Sequence, residues 1–166
     1  MSQADPGPYK DNPRSTAVIG GHPIHPMLIP FPIALLVGAF VTDLLFLYYD
    51  SSGFANASKW LLGTGIVTAL AAAVFGLIDF MGDDRIRRLS HAIQHMIANV
   101  SAVVVAIVNL AIRLGDEGAH VESLGVYLSG ATVLILIFSG WRGGDLVYVH
   151  RVGVHDEADR RRHGEA

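Results

Sequence analysis

The chain has 166 residues, 51% hydrophobic and 16% charged, with a mean hydropathy of +0.42 and a formal net charge of −3. That is too little charge to cover a soluble domain of this length, and too small a net charge to imply a nucleic-acid partner. Cysteine is absent, which excludes disulfides, thiolate metal ligands, Cys-ligated iron–sulfur clusters and covalent CxxCH haem.

Residues 1–20 read as a disordered tail. Gly21-His22-Pro23-Ile24-His25-Pro26 opens the first apolar stretch, which carries no Lys, Arg, Asp or Glu from Ser15 to Thr42 and continues past Asp43 to Tyr49. Proline lacks an N–H and disfavours helix in the residue before it. His22 and His25 are therefore expected in a stiff, extended or turned entrance, with the regular helix starting near Pro26 or Pro32. The stretch starts too late, is too long and lacks the basic flank of a signal peptide. Asp43 lies near the far end of this span; it bonds a neighbouring helix or reaches the interface, and no function is assigned to it.

Asp50 to Ser58 is expected to be a loop, with Ser58 as N-cap. Trp60 to Ile78 is a second uncharged run. Its small residues Gly65, Ala69, Ala72, Ala73 and Gly76 let another backbone come close, as do Gly125, Ser129 and Gly130 in the fourth span. Packing within the chain is favoured over a dimer face, with a homo-oligomer left open. Gly82 and Asp83 end the second helix, and an amphipathic lead-in, Asp83 to Ser90, is expected to run into the third span, Leu89 to Ile112. Here His91 and His95 stand at i, i+4, on one face and one turn apart. Gln94 and Asn99 are expected to face the bundle interior, because polar groups are costly in lipid. Gly115 to Ser123 is an outer loop, and Ser123 to Trp141 the fourth span. Gly143-Gly144 permits a sharp change of direction or a close backbone approach, and His150 follows. Residues 155–166 form a charged tail. No internal repeat is evident.

Each apolar run approaches the roughly 20 residues that a helix needs to cross a bilayer. The expected fold is all-α, an up-down four-helix membrane bundle over residues 21–154. Lys10, Arg14, Arg85, Arg87, Arg88, Arg142, Arg151 and Arg160 to Arg162 fall in the two tails and the 2–3 loop, against Lys59 and Arg113 elsewhere. Both termini are thus expected in the cytoplasm. His22, His25, His91, His95 and His150 then share the cytoplasmic end, His120 lies outside, and His155 and His163 belong to the tail.

Neutral imidazole binds iron, copper and zinc. His91 and His95 can chelate one metal from one side. They cannot supply both axial ligands of a haem, which approach from opposite faces; that pair needs one of them plus His25 or His150. Asp145 or Asp79 could accept from a ligand imidazole's second N–H. The bland alternative is interfacial histidines bonded to nearby backbone. No catalytic residue is assigned, for there is no paired-carboxylate motif, GxSxG or Walker sequence.

Gly21-His22-Pro23-Ile24-His25-Pro26, the His91/His95 pair and Gly143-Gly144-Asp145-Leu146-Val147-Tyr148-Val149-His150 together resemble the bacterial tetraspan family DUF2231, over about residues 20 to 154. Domains of this kind occur fused to Rieske-type or cytochrome c modules. The resemblance therefore implies a bacterial inner-membrane protein in a redox setting, with haem b as cofactor and a separate redox partner. Two alternatives stand beside it: a non-haem zinc, copper or iron site on His91 and His95, and a non-redox structural or transport-associated subunit that binds no cofactor.

Overall fold

The computed structural model describes residues 12–114 and 121–154, apart from the side chains of Glu122 and Ser123. A two-residue ladder, β1 (Val18–Ile19) with β2 (His22–Pro23), leads into a one-turn helix, α1 (Ile24–Leu28). Then come α2 (Pro30–Tyr49), α3 (Ser52–Gly82), the short α4 (Asp84–Arg87), α5 (Ser90–Arg113), a π-helical turn (Val121–Gly125) and α6 (Val126–Tyr148). Four helical stretches are long and apolar enough to cross a membrane: Ile24–Tyr49, Ser52–Gly82, Ser90–Arg113 and Val126–Tyr148. Their outer surface exposes Phe31, Val67, Val100 and Leu134, as lipid-facing helices should.

Several local expectations change. Helix begins at Ile24, ahead of Pro26, and breaks at Ile29. Pro30 tolerates the first position of α2, where its missing N–H would have no partner in any case. The first loop shrinks to Asp50 and Ser51, with Asp50 in the left-handed conformation at φ 49°. Ser58 is accordingly no cap; it lies inside α3, fully buried. The segment after Gly82 does not run into α5, because Leu89 is extended (φ −77°, ψ 120°) and separates α4 from it. Gly143 and Gly144 stay within α6 and make no bend. Most of the outer loop and of both tails, with His120, His155 and His163, lies outside the described residues.

The bundle consists of two antiparallel hairpins, α2–α3 and α5–α6, with each first helix packing on the second helix of the other hairpin. The hairpins are duplicates in their burial. Buried Pro32, Leu36, Ala39 and Asp43 of α2 have buried counterparts 70 residues later in Ala102, Ala106, Asn109 and Arg113. Buried Ser58, Leu62, Gly65 and Ala72 of α3 match buried Gly125, Ser129, Thr132 and Ser139, 67 residues later. Residues from counterpart positions also meet each other: Asp43 bonds Arg113, and His25 touches His95. Self-contact between equivalent positions is the signature of a two-fold axis, so an approximate two-fold runs along the bundle between the hairpins. An internal repeat is therefore present, although residue identities conceal it.

The middle of the axis is apolar, built from Leu36, Ala39, Leu62, Ile66 and Ala106. Gly65 lets α2 approach, for a Cβ there would lie 2.8 Å from Leu36 Cδ2. The terminal face is woven together by backbone. Asp79 Oδ1 accepts from Ser15 Oγ (2.8 Å) and from the amides of Thr16 (2.7 Å) and Ala17 (2.8 Å). Gly153 N–H donates to Pro13 O (2.9 Å), which brings the two terminal segments together.

Candidate functional site

Two polar layers occupy the axis, one on each side of the apolar middle. At the terminal end α1 carries His25, whose ring lies on Gly76 of α3. A Cβ at Gly76 would sit 2.9 Å from His25 Nδ1, and that nitrogen is 2.8 Å from Ala72 O. The arrangement repeats in the second hairpin. His95 of α5 lies on Gly143 of α6, where a Cβ would come within 3.0 Å of Cε1, and His95 Nδ1 is 2.8 Å from Ser139 O. In each case the imidazole rests on a glycine and bonds the carbonyl four residues earlier, so both seats require the missing side chain. The carbonyls accept, so each ring must donate from Nδ1 and keep its lone pair at Nε2. His25 and His95 meet edge to face, with ring centroids 6.1 Å apart and planes at 86°. Asn99 Nδ2 donates to His95 Nε2 (3.0 Å), and Ser139 Oγ donates to Asn99 Oδ1 (2.9 Å).

His91 looks elsewhere. Its Nδ1 is 3.1 Å from His150 Nε2, with ring centroids 4.8 Å apart, and its Nε2 is 3.7 Å from Asp145 Oδ2. Arg142 also approaches that carboxylate, at 3.3 Å. One ring nitrogen donates to the other in the His91–His150 pair, and Asp145 stands beside it beyond hydrogen-bond distance. The five sequence-selected histidines thus divide. His25 and His95 make one pair and His91 and His150 another, while His22 lies exposed on β2 opposite Ile19. Among the described residues no three His, Asp or Glu side chains converge as metal ligands. Asp145 stands 3.7 Å from His91 Nε2, too far to accept from it, whereas Asp79 serves the N-terminal strap. Asn99 faces inward as expected; Gln94 faces out and is exposed, because its place on α5 points past α6 toward lipid.

The second polar layer is one that the sequence reading did not assemble. Arg113 clasps Asp43 with two parallel bonds, Nη1 to Oδ1 at 2.7 Å and Nη2 to Oδ2 at 2.8 Å. Ser58 Oγ (2.5 Å) and Ser129 Oγ (2.6 Å) donate to the same carboxylate, while Arg113 Nε donates to Asn109 Oδ1 (2.8 Å). All four long helices contribute, and none of these side chains is more than 1% exposed. The signal available in the sequence was the single acid inside an apolar span, since an intramembrane charge needs a partner. Arg113, at the end of its span, reads as interfacial until its side chain is seen to turn inward.

A family model described as "Predicted membrane protein (DUF2231)" matches residues 21–156, which takes in every described helix. The chain belongs to the DUF2231 family. Comparison with curated proteins and with solved structures finds no match. The match takes in both histidine pairs of this DUF2231 protein, both glycine seats and the Asp43–Arg113 clasp.

Proposed function

We propose that this DUF2231 protein is an inner-membrane subunit, with cytoplasmic termini, that holds a redox metal group between His25 and His95, haem b being the group its donors suit best. The observation that carries the reading is the anchored pair: two imidazoles from opposite hairpins, centroids 6.1 Å apart, each tied through Nδ1 to a backbone carbonyl. Two rings bound at about 2 Å on opposite sides of one metal keep roughly this spacing. A ligand histidine commonly donates its other N–H to a carbonyl, which fixes tautomer and direction. Haem would supply one-electron transfer.

The donors fit, and the neighbours Ala72, Gly76, Ser139 and Gly143 are small. The rings already touch, so admitting a macrocycle requires the hairpins to part at the terminal end and Asn99 to release His95 Nε2. The Asp43–Arg113 clasp would hold the other end meanwhile. Burial of Arg113 leaves Lys59 as the basic side chain of the far face among the described residues, which supports cytoplasmic termini. A chelate on His91 and His95 is the weaker reading, since those rings face different partners.

Spectra of protein from haem-replete cells test the proposal. A Soret band and a reduced α-band are expected in the wild type and in His22→Ala, and neither in His25→Ala or His95→Ala. A colourless wild type with stoichiometric zinc or copper replaces haem by a bare ion; one with neither removes the cofactor reading.

A further inference from the structure

Parting of the hairpins is opposed at the terminal face by the chain's own ends. The N-terminal strap is fastened to the α2–α3 hairpin. Asp79 Oδ1 takes three of its donors, Ser15 Oγ and the amides of Thr16 and Ala17. Thr16 Oγ1 donates to Ile78 O (3.1 Å), and Gly82 makes room for that residue, since a Cβ there would lie 2.8 Å from Thr16 Cβ. The segment that leaves α6 belongs to the other hairpin, yet it is tied to the same strap. Gly153 N–H donates to Pro13 O (2.9 Å), and Asn12 Nδ2 donates to Val154 O (3.2 Å). The ends of α3 and α6 are therefore joined to each other through two short lengths of chain.

These ties stand just outward of the two histidine seats. Asp79 lies three residues beyond Gly76, on the same face of α3 and about one turn nearer the terminal surface. His91 lies one turn outward of His95, and His150, bonded to it, leads into the residues that grip the strap. Between them Gly153 rests against Pro23, two residues ahead of His25; a Cβ at Gly153 would be 3.4 Å from Pro23 Cγ. The roof is light. Of residues 12–17 and 150–154 only Ala17 is buried. Hydrogen bonds hold these segments more than apolar packing does, which is the profile of a part that opens while the bundle stays folded.

We propose that the crossed terminal segments are a lid over the His25–His95 site. Closed, they hold the two hairpins together above the rings. Released from Asp79 and from each other, they let the terminal end part, so that a planar group enters or leaves. The lid rests on the reading of the pair as a binding site, but its opening can be followed without any cofactor.

The chain has no cysteine, so Asn12→Cys combined with Val154→Cys supplies the only two thiols. A short bis-maleimide locks the lid, and capping with N-ethylmaleimide leaves the same variant unlocked. Two rates are compared. One is haemin uptake by the apoprotein, read as the rise of a Soret band. The other is carbethoxylation of His25 by diethyl pyrocarbonate, read from peptide masses, with exposed His22 as reference. Locking is expected to slow both by about tenfold and to leave His22 unchanged. Asp79→Ala, which removes the acceptor of three bonds, is expected to speed both. Equal rates in locked and capped protein would mean that the site is reached between helices from the lipid, and would overturn the lid. So would rates in Asp79→Ala no faster than in the wild type. If no Soret band forms in either state while locking still slows His25 labelling, the haem reading falls and the lid stands.

Discussion

The two polar layers sit on one two-fold axis, on opposite sides of the apolar middle, and solve the same problem in opposite ways. Asp43 and Arg113 face each other as charges, with carboxylate and guanidinium fully bonded and no room for anything more. His25 and His95 face each other as rings, anchored from behind and joined only by an edge-to-face contact. A closed ion pair fixes two helices; in the ring pair Asn99 takes Nε2 of His95, while Nε2 of His25 has no hydrogen-bond partner among the described residues. The first layer ties all four long helices together, and the proposed function rests on the second.

The sharpest way to break the comparison is to remove one partner of the clasp. Asp43→Asn or Arg113→Met alone leaves an uncompensated buried group and should cost about 3–5 kcal/mol, read as a large fall in thermal midpoint in detergent. Asp43→Leu combined with Arg113→Met should recover most of that loss. A double variant as unstable as the singles would show that the clasp is more than a paired charge. A smaller effect is expected at the histidine seats. Gly76→Ala and Gly143→Ala place a Cβ 2.9 Å and 3.0 Å from imidazole atoms, an overpacking that costs about 1–3 kcal/mol. Gly140→Ala, with nothing within 4 Å, should be neutral or stabilising by about 0.5 kcal/mol. Equal midpoints for all three variants would show that the rings do not rest on those glycines.

The smallest effect concerns acid. The Arg85 guanidinium bonded to Asp83, helped by the amides of Arg14 and Arg85, holds that carboxyl well below the usual carboxylate range against the opposing effect of burial. A carboxyl whose folded pKa is depressed contributes stability that is present above its unfolded pKa and lost as pH falls through the folded one. Proteolysis of the strap around Arg14 should therefore stay constant from pH 7 down to about 4 and rise only in stronger acid. Asp83→Asn should expose it already at neutral pH. Cleavage that climbs between pH 6 and 5 would point to a histidine instead.

Much of this architecture was legible because lipid imposes simple rules. Uncharged runs marked the four spans, and the chemistry of imidazole marked five histidines, His25 and His95 among them. Their partners were not legible, because Ala72 and Ser139 contribute carbonyls, which leave no trace in residue type. The repeat escaped for a related reason. Leu36 and Ala106, or Asp43 and Arg113, occupy equivalent places without sharing size or charge, so the duplication lies in burial and not in identity. Ser58 misled because serine beside a loop suits a cap as well as it suits a buried carboxylate. Gln94 departs from the rule that polar residues turn inward, because near the start of α5 it is exposed on the outer surface.

The bond from Gly153 to Pro13 has a geographical consequence. The strand of chain that enters the bundle and the strand that leaves it emerge at one doorstep, close to the His91–His150 pair. A soluble module tethered to either terminus would be delivered to the same spot, so for this protein the order of a fusion would not alter what it is brought to face.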